Sequence, residues 1–134
     1  MSSRREMVIL TDVALITCVV QRGAAESILK AAREAGAQGA TVNFATGYGI
    51  RERLGLLGVA VNVEKEIISI VVSKEQSQRV FESMYLAGNL DTPGMGIIYM
   101  TDLDKAATFV PHDVIEKLSD KNRVQAASPP DSAA

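Results

Sequence analysis

Two amphipathic segments of helical period, each flanked by short β-branched runs and each followed by glycine, leave this chain few ways to fold. The first, 24–35, places Ala24, Ile28, Ala31, Ala32 and Ala35 on one face and Glu26, Lys30, Arg33 and Glu34 mostly on the other, as in a helix with one side in a core. Gly36 follows directly, where the closing turn of a helix favours a residue tolerant of positive φ. The second begins at Ser73, which forms a capping box with Gln76 three residues later. It runs through Val80, Phe81, Met84, Tyr85 and Leu86, and Gly88 is read as its closing residue.

The runs between are short and apolar enough to be buried strands. They cover 13–20, 40–45, 67–72 and 97–100. The stretch 50–58, IRERLGLLG, mixes basic and apolar residues without alternation and is interrupted by Gly55 and Gly58, so it reads as a loop. Asn89 to Gly96 is turn-rich, and a short helix is expected from His112 to Leu118. Beyond Ser119 the chain turns polar and ends in SPPDSAA, with too little apolar surface to offset ordering, so 119–134 is expected to be a disordered tail. The N-terminal run from Met7 reads as a strand, with 1–12 a leading segment before a single domain at 13–118. The resulting order is strand, helix, strand, strand, helix, strand. It predicts an α+β, ferredoxin-like βαββαβ sandwich, an antiparallel sheet with two helices on one face. The other face stays open, which predicts self-association.

Composition limits function. With 14 Lys and Arg against 16 Asp and Glu, the net charge is -2, and no concentrated positive field is available for nucleic acid or an anionic membrane. Arg4 and Arg5 precede an apolar run that superficially resembles a signal peptide, but Thr11 and Asp12 break it early. No stretch approaches the roughly 20 apolar residues of a membrane helix. The single cysteine, Cys18, cannot form an internal disulfide or a thiolate zinc cage. A cytoplasmic location is therefore expected. His112 is the only histidine and no nucleophile motif accompanies it; Asp102, Asp104 and Asp113 lack the spacing of a cation loop. An enzyme is not expected, and neither a catalytic residue nor a metal ligand is assigned.

The connecting segments are more specific. GAQGATVNFATGYG, at 36–49, resembles the helix-to-strand segment of PII signalling proteins, in which a Thr-Val pair leads to a Gly-aromatic-Gly element. EKEIISIVV and then DTPGMGIIYM resemble that family's third strand and phosphate-cradling loop, and the likeness spans about residues 13 to 110. It is nearest to the divergent PII-like proteins, whose loop reads Pro-Gly-x-Gly and whose third strand follows a Glu-Lys-Glu segment like Glu64 to Glu66. The resemblance implies a cytoplasmic homotrimer with no required cofactor and with effector sites in clefts between subunits. It places those sites at Thr41, Gly47, Tyr48 and Gly49 together with Pro93, Gly94, Met95 and Gly96, to which Arg51 is added as a cation able to replace some of the charge that the family supplies elsewhere, as Arg53 or Lys105 could. Glycines there would let backbone amides approach phosphate oxygens. Control of a partner transporter or metabolic enzyme through the 50–63 loop, in nitrogen or carbon metabolism, is likewise implied.

The departures modify these expectations. Where PII proteins carry a lysine beside the phosphate loop and an arginine pair after the last strand, this chain has Met95, Gly96 and KAATF. A charge-assisted hydrogen bond to phosphate is worth about 1.5–3 kcal/mol, and without several of them ADP or AMP is expected in preference to ATP, with a cyclic nucleotide or an unrelated small anion as further alternatives. The 50–63 loop is short and has no tyrosine, so no modification site is carried over and control of an ammonium channel in the usual PII manner is not expected. Arg51 and Arg53 also fit a merely solvated loop, and the glycines also fit simple turns. The alternative function is a ligand-free or metal-responsive trimer related in architecture to divalent-cation tolerance proteins.

Overall fold

The computed structural model describes residues 5–47, 63–115 and 123–127. They fall into two compact units, Ala14–Asp102 and a second formed by Met1–Val13 with Leu103–Ala134. This differs from the single 13–118 domain expected from sequence, because the N-terminal strand pairs with segments that follow the last strand of the larger unit.

In the larger unit, strand β2 (Val13–Gln21) leads to helix α1 (Ala25–Glu34), followed by β3 (Thr41–Gly47), β4 (Val63–Ser73), α2 (Lys74–Ala87) and β5 (Gly96–Asp102). The sheet order is β3-β4-β2-β5, with β3 antiparallel to β4 and β5 antiparallel to β2. This is the ferredoxin-like arrangement expected from the element order.

Alternation along the strands separates the two faces. Ile16, Cys18 and Val20 on β2 and Ile68, Ile70 and Val72 on β4 form one core with Ile28 and Ala32 of α1 and Val80 and Met84 of α2. The residues between them point the opposite way. Val71, Ile97 and Tyr99 on that second face are each about half exposed, and among the described residues no element of this unit covers them.

Both helices end in Schellman motifs. At α1, Ala37 N–H donates to Ala32 and Gly36 N–H to Arg33, with Gly36 at φ 117° as expected. At α2 the left-handed residue is Asn89, φ 52°, with Leu90 N–H donating to Tyr85 and Asn89 N–H to Leu86. Gly88 is the C-cap of α2, as read from the sequence, while the left-handed residue is its neighbour Asn89. Gly88 has right-handed helical dihedrals, and a Cβ there would lie 2.9 Å from the terminal Cδ1 of Ile28, which would have to shift to make room. Ser73 caps α2 by accepting the Gln76 N–H at 3.3 Å.

The smaller unit is a three-stranded sheet of β1 (Arg5–Leu10), β6 (Ala106–Ala107) and β7 (Arg123–Ala127), in the order β6-β1-β7. A four-residue helix, α3 (His112–Ile115), lies between β6 and β7 in sequence. The expectation of a disordered tail fails for 123–127, which pairs antiparallel with β1 from Arg5↔Ala127 to Ile9↔Arg123. Apolar content was the wrong measure there, because a strand edge offers main-chain hydrogen bonds to any sequence able to extend. The rest of the expected tail lies outside the described residues.

Candidate functional site

The antiparallel topology gathers the sequence-predicted segments at one end of the larger sheet. Gly96 pairs with Val20 near the end of β2, Arg22 N–H donates to the Glu64 carbonyl at the start of β4, and Gly47 pairs with Val63. Thus the end of β3, the start of β4, the end of β2 and the start of β5 lie side by side. Tyr48, Gly49 and Arg51 lie outside the described residues.

The turn before β5 is built by local chemistry. Met95 N–H donates to the Thr92 carbonyl across Pro93 and Gly94, with Gly94 at φ 84°; proline then positive-φ glycine is the type II pattern. Gln21 Nε2 donates to the Gly94 carbonyl at 2.8 Å and ties the turn to β2. Gly96, at φ 145°, has no room for a side chain, since a Cβ would lie 2.3 Å from the Val19 carbonyl oxygen. Both glycines thus have backbone reasons to be glycine. Gly47 does not: the nearest atom to an added Cβ is Lys65 Cγ at 3.9 Å.

Thr41 stands apart. It pairs with Ser69 and is separated from Gly47 by the length of β3, about 20 Å at the usual rise. Furthermore, β3 and β5 are the two outer strands of the sheet, about 14 Å apart at ordinary strand spacing. Within one subunit, then, the Gly47 and Pro93–Gly96 segments share an end of the sheet but flank opposite edges.

Sequence reading missed the charged groups at this end. Glu66 is buried, and its Oε1 accepts the N–H groups of Gly23 and, at 3.3 Å, Ala25. It serves as the N-cap of α1, where the local N-cap residue, Ala24, has no side-chain acceptor. Two residues earlier on the same face of β4, Glu64 pairs with the Arg22 guanidinium in solvent. The α1 end is held as well, with Arg79 Nε donating to the Ala35 carbonyl at 2.9 Å, a cation suited to a helix C-terminus. A cleft of about 610 Å³ lies beside the ion pair, lined by Arg22, Phe44, Ala45, Thr46, Glu64 and Lys65. Phe44 is 77% exposed there.

The sequence matches the family described as nitrogen regulatory protein P-II over residues 13–113. The chain belongs to the PII family. Among solved structures it is similar to the PII protein of Arabidopsis thaliana bound to citrate, with a TM-score of 0.57 and 20% identity over 70% of this chain and 79% of that one. At that identity the likeness concerns the fold. No curated protein sequence matches the chain. The matched span begins at β2 and ends in α3, so the PII region contains the whole four-stranded sheet, whereas β1 and β7 fall outside it. As PII proteins are regulatory, the chain is a PII-like regulatory protein. Among the described residues, no group of His, Cys, Asp and Glu is arranged to hold a metal ion, and no helix is long and apolar enough to cross a membrane.

Proposed function

We propose that this protein is a trimeric PII-like signalling protein that binds a small effector between subunits and controls a partner transporter or enzyme through the 50–63 loop. The observation that carries the reading is the placement of Gly47 and Pro93–Gly96 at the same end but on opposite edges of the sheet. A pocket containing both needs the edge of one subunit to meet the other edge of its neighbour. The half-exposed Val71, Ile97 and Tyr99 supply an apolar face for such an assembly.

The effector in this proposal is an adenine nucleotide, ADP or AMP rather than ATP, held by Gly47, Tyr48, Gly49 and Arg51 of one subunit and Pro93, Gly94, Met95 and Gly96 of the next; Thr41, at the far end of β3, is left out of it. The charge balance supports fewer phosphates. Among the described groups at this end, Arg22 and Lys65 are matched in number by Glu64 and Glu66, which leaves no excess of positive charge for further phosphates. Effector binding would act by favouring one state of the 50–63 loop over another. The loop would sit in the cytoplasm, where its target is presented.

Isothermal calorimetry against AMP, ADP and ATP, each with and without magnesium or bicarbonate and with citrate as a further arm, tests this together with light scattering. A trimer that binds ADP or AMP more tightly than ATP is the expected result. A folded trimer that binds none of the nucleotides overturns the effector assignment, and a monomer at micromolar concentration overturns the intersubunit site.

A further inference from the structure

Two glutamates on one face of β4 hold the same turn in different ways. Glu66 is buried and satisfies two backbone amides at the start of α1. Glu64 is exposed, 61% at its side chain, and holds the Arg22 guanidinium, itself 73% exposed. The first is a permanent anchor, because losing it leaves buried donors unpaired. The second is exchangeable, since an exposed ion pair competes with water and salt on nearly equal terms.

Arg22 therefore keeps its place through the Gly23–Glu66 contact and through its own N–H donating to the Glu64 carbonyl, even when Glu64 Oε2 lets go. The guanidinium then faces the cleft beside Phe44, whose ring is exposed, with Thr46 and Lys65 also on its walls. A fork of guanidinium donors beside an accessible aromatic surface matches an oxyanion attached to a flat apolar group.

We propose that this cleft is a second binding site, for a small aromatic or planar carboxylate or phosphate, which displaces Glu64 from Arg22. The described lining residues all belong to one subunit.

The test is NMR titration of the full chain with phenyl phosphate, benzoate and inorganic phosphate. Phenyl phosphate and benzoate should shift the amides of Arg22, Phe44 and Thr46, with inorganic phosphate at least several-fold weaker; the two aromatic probes decide which head group is preferred. Glu64→Gln should bind about two- to five-fold more tightly than the wild type, as expected when an internal competitor of this strength is removed. Glu82→Gln, an equal charge change on exposed α2 surface, should leave affinity unchanged. Arg22→Gln and Phe44→Ser, both at exposed positions, should each weaken binding, the former by about ten-fold or more. The proposal is overturned by the absence of shifts at these amides, by unchanged or weaker binding in Glu64→Gln, or by equal tightening in Glu82→Gln. Loss of nucleotide binding in Gly47→Ala, with phenyl phosphate binding intact, separates this site from the intersubunit one.

Discussion

Glu66 caps a helix that begins 41 residues before it, its Oε1 accepting the backbone N–H of Gly23 at the turn into α1. The same atom accepts from Ala25 N–H. Glu66→Ala would leave both donors without a protein acceptor and should cost about 1–3 kcal/mol. Glu66→Gln keeps a carbonyl oxygen in place and should cost less than half as much. Urea unfolding of the two variants checks the order; equal losses would show that the carboxylate charge, acting on the helix dipole, matters more than the acceptor.

The two glycines nearest the candidate effector site should respond in opposite ways. Gly96→Ala forces a Cβ to within 2.3 Å of a backbone oxygen at positive φ, and should cost at least about 2 kcal/mol through strain and overpacking. Gly47→Ala meets nothing closer than 3.9 Å, so its melting temperature should stay within a few degrees of wild type. If Gly47→Ala nevertheless loses ADP affinity, the loss belongs to the ligand and not to the fold. Thermal melts paired with calorimetry distinguish the cases.

How far the sequence is readable follows from how local each determinant is. The Ser73 cap of α2 and the Gly36 closure of α1 are written within three or four residues, and both form as expected. Gly88 carries the same signal and is the C-cap, but the adjacent Asn89 supplies the left-handed turn, and the close approach of Ile28 from the other helix is invisible in the local sequence. Glu64–Glu66 reads locally as a charged run before a strand. Its function is visible only once the sheet brings it to Arg22 and Gly23, so β4 begins at Val63, before the apolar run that announces it. The glycine segments are legible as a family pattern, yet their placement on opposite edges depends on strand order. That order is a property of the whole chain.

Cys18 should be chemically inert while the protein is folded. It is fully buried between the sheet and the helices, and burial pushes its thiol up from 9.0 to about 11. At pH 8 very little thiolate forms, and access is blocked. A maleimide should label it only after urea unfolding. The same shift fixes a pH dependence. Below pH 9 the thiol is protonated in both states and its contribution is fully present; between about pH 9 and 11 the unfolded chain releases the proton first, and stability falls by about 2–3 kcal/mol. The Cys18→Ala variant should show a shallower decline over that window.

The pairing of β7 with β1 gives the final test. β1 is the central strand of its sheet, but β6 pairs only with Ile9 and Leu10, so β7 is the strand paired with β1 from Arg5 through Val8. Truncation before Arg123 removes that ladder while leaving the β2–β5 unit untouched in sequence. Hydrogen exchange should then accelerate in Glu6–Val8, by about ten-fold or more if the ladder protects them with the 1–1.5 kcal/mol of a typical hydrogen bond. The amides of Ile16, Cys18 and Ile70, in the core of the larger sheet, should exchange as before. Acceleration confined to β1 identifies β7 as a local brace; acceleration in both sets would mean that the two units open together.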